Sequence, residues 1–161
     1  ERAISVMDYA IIIVSAVEGV QGHTETVWNL LRKYKVPTFF FINKLDRVEA
    51  NLEGVICEIR QSLSKESFYI NDLNELNESL IEFIAEMDEE LLEKYLNNEY
   101  ESYIWKDKLR KLIKENKVYP CFAGSALQDG GIKEFLNAFD ELTFTKYDVN
   151  DKFSGIVNKI R

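Results

Sequence analysis

The sequence predicts an α/β fold with a three-layer, mostly parallel sheet, and two observations carry that prediction. Residues 9–16 and 38–42 are almost wholly apolar runs without alternation. Such runs are typical of strands buried on both faces, as in a parallel sheet covered by helices. A helical pattern lies between them, so that strand, helix and strand follow one another within residues 9–42. This order indicates a right-handed crossover unit.

The remaining elements follow from periodicity and capping residues. Thr24 is expected to be the N-cap of a helix to about residue 34, because its hydroxyl can accept a bond from a free N–H of the first turn. A second helix is expected over 51–63, a third strand over 118–123 and a helix over 131–142. The apolar residues expected to face inward from the first helix are Val27, Leu30, Leu31 and Tyr34.

Charge is concentrated in one part of the chain, residues 66–101, which we call the acidic segment. It holds 12 of the 28 acidic and one of the 20 basic residues, so it carries −11 while the rest carries +3. Apolar residues recur in it at helical spacing, from Leu73 and Leu76 onward, which predicts amphipathic helices. The acidic face is either a solvated surface or a site for a basic or helical partner.

Composition excludes several classes of protein. No apolar run approaches the ~18 residues of a membrane span, so no membrane association is expected. Two cysteines, Cys57 and Cys121, make no disulfide framework and favour a reduced, cytoplasmic setting. We expect both to be core thiols, one on the apolar face of a helix and one in a strand. The net charge of −8 argues against simple binding of nucleic acid.

The strongest motif is Asn43-Lys44-Leu45-Asp46, directly after the strand 38–42. Ligands of parallel α/β sheets bind at the carboxyl ends of strands. An aspartate can accept two adjacent hydrogen bonds, which matches the N1–H and the exocyclic amine of guanine, whereas adenine offers no such pair. Asn43 can bond the ring N7 and hold neighbouring loops, and the Lys44 stem can lie over the base. The alternative is an ordinary polar loop before a helix.

A second motif, Gly124-Ser125-Ala126-Leu127, follows the next apolar strand. Its short turn allows a backbone N–H to approach the guanine O6, and the Ser125 hydroxyl can orient Asp46. Leu127 is expected to support the pocket by packing. By itself the motif indicates only a tight strand-to-helix turn, but two adjacent strand ends that converge on one base make a stronger case.

These residues resemble the translational GTPases of the elongation factor G class, and among them the tetracycline-resistance ribosomal protection proteins. The resemblance extends over nearly the whole chain and is carried by residues 2–10, 18–21, 24–28, 34–37, 41–47, 88–96 and 153–160. It implies a partial P-loop GTPase domain (1–47 and 118–143), a mainly helical inserted subdomain (48–117), and a linker with the first strand of a barrel domain (144–161).

The resemblance also implies ligands and partners. The cofactor would be GTP or GDP, bound through Asn43, Lys44, Asp46, Ser125, Ala126 and Leu127. The parent protein would hydrolyse GTP on the ribosome, and the acidic segment would face the ribosomal stalk. If the parent is of the protection type, it would dislodge tetracycline; the alternatives are an elongation factor G or a fragment that only binds protein.

Two family motifs are missing from these 161 residues. There is no Gly-x-x-x-x-Gly-Lys-Ser/Thr loop and no Asp-x-x-Gly-His motif, and we expect both upstream of Glu1. The Mg²⁺ ligands would be missing with them, so the chain alone is expected to have no catalytic or metal-binding residues and no GTPase activity. His23, the single histidine, is expected to be an ordinary surface-loop residue.

The resemblance implies that a further strand lies beside residues 9–16. Without it, these apolar residues would form an exposed edge, which invites pairing with another chain. The chain is therefore expected to self-associate through this strand or to cover it with its own tail, residues 153–160.

Overall fold

The computed structural model describes residues 3–97 and 101–145, which contain four parallel strands in one sheet. The strands are β1 (Ala10–Ser15), β2 (Thr38–Asn43), β3 (Ser67–Tyr69) and β4 (Tyr119–Ala123). Their spatial order is β1-β2-β4-β3. Ile12 pairs with Phe40, and Phe40 pairs with Cys121, so the carboxyl ends of the three longer strands lie at one edge. The predicted α/β class is confirmed.

In the described part of the chain, six α-helices pack around the sheet: α1 (Gly22–Lys33), α2 (Leu52–Ser62), α3 (Glu78–Glu86), α4 (Glu89–Leu96), α5 (Ser102–Lys114) and α6 (Ile132–Leu142). Alternate residues of β2 face opposite layers. Phe40 and Ile42 pack with α1 and α2, while Phe39 and Phe41 share a core with residues of α3 to α6. All five residues of β2 from Thr38 to Ile42 are buried, which explains their unbroken apolar pattern.

The first helix differs from its prediction in start and in orientation. It begins at Gly22 after the N-cap Gln21, and Thr24 is the N3 partner of a capping box, not the N-cap. Its buried residues are Thr24, Trp28 and Leu31, whereas Val27 is exposed. The Trp28 ring lies 4.8 Å from Tyr119 and 5.4 Å from Phe40, and this large apolar area sets which face points inward.

Part of the range predicted as a helical insertion lies in the main sheet. β3, which the sequence pattern did not predict, lies within residues 48–117 and pairs with β4. Leu73 and Leu76, predicted to be helical, lie in a loop and are nevertheless buried. The loop ends at Asn77, whose side-chain oxygen accepts a bond from the Leu80 N–H at 2.9 Å and caps α3. The domain boundaries remain a prediction.

The two cysteines have different environments. Cys121 is fully buried in β4, and burial raises the pKa of its thiol. Cys57 is exposed on α2, so its prediction as a core thiol was wrong. On this helix Val55 and Ile59 face the core instead, which turns Cys57 outward.

One side chain joins three elements at the amino edge of the sheet. Arg32 of α1 donates hydrogen bonds to Asn116 Oδ1 (2.6 Å), Tyr119 OH (2.7 Å), Thr38 Oγ1 (2.8 Å) and the Val36 carbonyl. Its guanidinium also stacks on Tyr119, 4.6 Å from the ring centre. Partial burial lowers the Arg32 pKa. The contacts fix α1 against the start of β2 and of β4.

Within the described residues, β1 is an edge strand. Ile11 and Ile13 are 40% and 65% exposed, while Ile12 and Val14 are buried on the other face. The predicted apolar edge is therefore present, but self-association through it remains a prediction. The predicted strand 153–160 lies outside the described residues.

Among the described helices, none combines the length and the apolar composition that a membrane span requires.

Candidate functional site

The two predicted motifs meet at the carboxyl edge of the sheet. β2 and β4 are neighbours, and the loops that follow them stay hydrogen-bonded beyond the strands. The Gly124 N–H donates to the Ile42 carbonyl at 2.9 Å, and the Leu45 N–H donates to the Gly124 carbonyl at 3.1 Å. This register places residues 43–46 beside residues 124–127.

Asn43 connects the two loops. Its side-chain oxygen accepts from the Lys44 N–H at 2.8 Å and from the Ala126 N–H at 2.9 Å. One amide oxygen thus fixes the turn after β2 and the turn after β4 together. The loop-holding role predicted for Asn43 is seen in these contacts.

Asp46 is the carboxylate that the two loops hold between them. The Ser125 hydroxyl donates to Asp46 Oδ1 at 2.5 Å, and Arg47 Nε lies 3.7 Å from Asp46 Oδ2. The Asp46 side chain is only 8% exposed. The Ser125 hydrogen bond is the main cause that lowers the pKa of Asp46, and it orients the carboxylate. This is the serine–aspartate contact that the sequence predicted.

Lys44 lies on the side of the site that faces the loop after β1. Its backbone has a positive φ of 70°, which is uncommon for a residue with a side chain. Its Nζ lies 3.3 Å from Glu18 Oε2, in the loop after β1. A cavity of about 160 Å³ opens beside this pair and is lined in part by Ser15, Glu18, His23, Asn43 and Lys44.

The turn after β4 depends on glycine. Ser125 and Gly130 exchange two backbone hydrogen bonds, of 2.8 and 3.0 Å, and close a small loop. A Cβ on Gly124 would lie 2.2 Å from the Gly130 carbonyl oxygen, so this close approach requires glycine. Leu127 is 77% exposed, so the packing role predicted for its side chain was wrong. Its place in the base pocket remains a prediction.

Sequence reasoning missed Glu18 as a member of this edge. The available signal was its position just after the first apolar strand of the chain, three residues after Ser15. The pKa of Glu18 is lowered, first by its hydrogen bond with Ser15 and then by Lys44. His23 is exposed in the first turn of α1 rather than in a loop, and it reaches the rim of the same cavity.

The described residues contain no group of three or more His, Cys, Asp or Glu side chains arranged to bind a metal ion. Polar side chains instead converge from the carboxyl ends of adjacent parallel strands. The fold and the site therefore define an open parallel α/β protein with its ligand site at the carboxyl ends of the strands.

Comparison with known proteins gives the family. The elongation factor Tu GTP-binding domain family matches residues 1–145, and the chain belongs to this family. It is 31% identical to the tetracycline resistance protein TetP of Clostridium perfringens, over 99% of the chain and 27% of that protein. It is 28% identical to elongation factor G of Carsonella ruddii (strain PV), over 98% of the chain and 29% of that protein.

A solved structure from Thermus thermophilus shares the fold, with a TM-score of 0.75 and 22% identity over 88% of this chain and 27% of the other. The chain spans less than a third of the length of the curated relatives named above. The predicted resemblance to translational GTPases is confirmed, and with it the GTPase-domain fold.

Proposed function

We propose that this chain selects the guanine base in the GTP-binding domain of a ribosome-associated, cytoplasmic translational GTPase. The observation that carries the proposal is the Ser125–Asp46 contact of 2.5 Å beside Asn43 and Ala126. An ionised, oriented carboxylate accepts hydrogen bonds from the N1–H and the amine of guanine, and adenine lacks this donor pair.

The other site residues take supporting roles in this proposal. The Lys44 stem stacks on one face of the base, and Asn43 bonds its N7 while it holds the loops. The Ala126 N–H already donates to Asn43. We therefore assign the donor for the guanine O6 to the next N–H of the turn, that of Leu127.

The experiment is a titration of the ¹⁵N-labelled chain with GDP and with ADP, followed by NMR. GDP is expected to bind with a dissociation constant on the order of millimolar or weaker, because phosphate and Mg²⁺ contacts supply much of nucleotide affinity. Asp46→Ala should abolish the shifts of residues 43–46, and Asp140→Ala, on the exposed face of α6, should not. Equal binding of ADP would contradict the proposal.

The parent protein is proposed to hydrolyse GTP, while the 161-residue chain alone is proposed not to. The phosphate-binding Gly-x-x-x-x-Gly-Lys-Ser/Thr sequence is absent from these residues. A phosphate-release assay should give no signal above buffer. Release that Asp46→Ala abolishes would overturn this part of the proposal.

For the parent we propose ribosomal protection against tetracycline, with translocation as an elongation factor G as the second candidate. The support is similarity over 99% of the chain to a tetracycline resistance protein, against 98% for an elongation factor G, at 31% and 28% identity. The complete gene should raise the tetracycline tolerance of a sensitive bacterium. Failure to do so, together with rescue of elongation factor G depletion, would favour the second candidate.

The acidic segment is proposed to bind a basic or helical partner, the ribosomal stalk in the parent. Helices α3 and α4 expose Glu86, Glu89 and Glu93, and charge of one sign mainly accelerates association. Changing all three to lysine should slow capture by ribosomes, whereas Glu53→Lys on α2 should not. Unchanged capture would leave the segment as a solvated surface.

A further inference from the structure

We propose that Glu18 is a positioning residue that fixes the side chain of Lys44 as one wall of the base site. This inference rests on the proposed guanine site and adds to it a residue from the loop after β1. Glu18 does not touch the base in this assignment and acts only through Lys44.

The contact joins two loops that the strand order brings together. β1 and β2 pair along their whole length, from Ala10 with Thr38 to Ser15 with Asn43. The loops after the two strands are therefore adjacent, and Lys44 Nζ in one loop lies 3.3 Å from Glu18 Oε2 in the other. A lysine side chain is a flexible four-carbon stem, and fixing its head group at one end restricts where the stem can lie.

Glu18 can act as an anchor because its own loop is fixed at several points. Ser15 Oγ accepts from the backbone N–H groups of Val17 and Glu18, each at 3.3 Å, and the Gly19 N–H donates to the Ser15 carbonyl at 2.9 Å. The Val20 N–H then donates to Glu58 Oε2 of α2 at 2.9 Å. The loop is thus tied both to β1 and to α2.

The size of the effect follows from exposure. The Lys44 and Glu18 side chains are 46% and 59% exposed, so the pair is a surface ion pair and contributes modestly. We expect Glu18→Gln to weaken GDP binding about two- to fivefold, with a smaller effect at high salt. The preference for GDP over ADP should persist, because Asp46 is unchanged.

The test is a double-mutant cycle on the 161-residue chain with GDP as the probe, read by NMR titration. Glu18→Gln, Lys44→Met and the double variant are compared with the original chain, and Glu53→Gln is the charge-matched control. If Glu18 acts through Lys44, its substitution changes GDP affinity in the original background and not in the Lys44→Met background.

A second measurement needs no nucleotide. Carbon relaxation of the Lys44 side chain should show greater mobility in Glu18→Gln than in the original chain or in Glu53→Gln. Unchanged Lys44 mobility overturns the inference, as does weakening of GDP binding by Glu18→Gln that persists in the Lys44→Met background. Binding of ADP as strong as GDP would instead overturn the proposed function, so the two failures are distinguishable.

Discussion

Replacing Gly124 by alanine should damage the turn that carries Ser125 and Ala126. The new Cβ would lie 2.2 Å from the Gly130 carbonyl oxygen and 3.0 Å from Phe41 Cζ. Ordinary contacts begin at 3.4 Å, so the Gly130 backbone would have to move by about 1 Å. That shift breaks or strains the two backbone bonds between Ser125 and Gly130.

The magnitude follows from these contacts. Two hydrogen bonds at about 1 kcal/mol each, with about 1 kcal/mol of overpacking, give a loss of about 3 kcal/mol in the free energy of unfolding. For a chain of this length the Tm should fall by about 6–12 °C. Urea unfolding monitored by circular dichroism measures the free energy, and NMR shifts of residues 43–46 report the site.

Gly22→Ala is the matched control. Gly22 is in the first turn of α1, and its added Cβ would meet no heavy atom within 4 Å. This variant should be neutral or more stable by up to about 1 kcal/mol, because alanine restricts the unfolded chain. If Gly124→Ala unfolds within about 0.5 kcal/mol of the original chain, the steric argument for this turn is refuted.

Three further outcomes are expected. Ser125→Ala should raise the pKa of Asp46 toward its ordinary value, which an NMR pH titration measures. Because the pKa of Asp46 is lower in the folded than in the unfolded chain, its ionised form stabilises the fold above the unfolded pKa, and this stabilisation is lost as the pH falls through the folded pKa. The loss of unfolding free energy at acid pH should therefore be smaller in the variant. An unmoved pKa would contradict the Ser125 contact. Arg32→Met should lower the free energy of unfolding in urea by about 2–3 kcal/mol, because buried acceptors such as Thr38 Oγ1 lose the guanidinium donor. A change under about 0.5 kcal/mol would show that the hydrogen bonds of Arg32 contribute little to stability. A thiol reagent should modify one cysteine of the native chain, Cys57, and labelling of Cys121 at the same rate would contradict its burial.

The strands were predictable where the whole segment is buried. All of β2 from Thr38 to Ile42 faces protein on both sides, so its unbroken apolar run identified it. β3 has only three residues at the sheet edge and lies inside the acidic segment, so no such run marked it. Helix faces were less predictable, because Val27 and Trp28 are adjacent in sequence and only packing on Tyr119 decides which one points inward.

The candidate site was predictable in its position but only partly in its contacts. Both motifs follow apolar strands, and parallel strands bring such ends to one edge. The Ser125–Asp46 contact was predicted, although 79 positions separate the two residues. The position of Glu18 just after an apolar strand indicated the correct edge of the sheet, but its contact with a lysine 26 positions away depends on how the two loops pack.

The sequence by itself determined the α/β class, the buried strands and the polar residues that follow them, because hydrophobic periodicity records burial along each element. Only the tertiary structure decided that β3 joins the sheet at the edge opposite β1 and that Glu18 reaches Lys44. Strand order and register set these contacts, and they depend on how separate elements pack rather than on the pattern within any one of them.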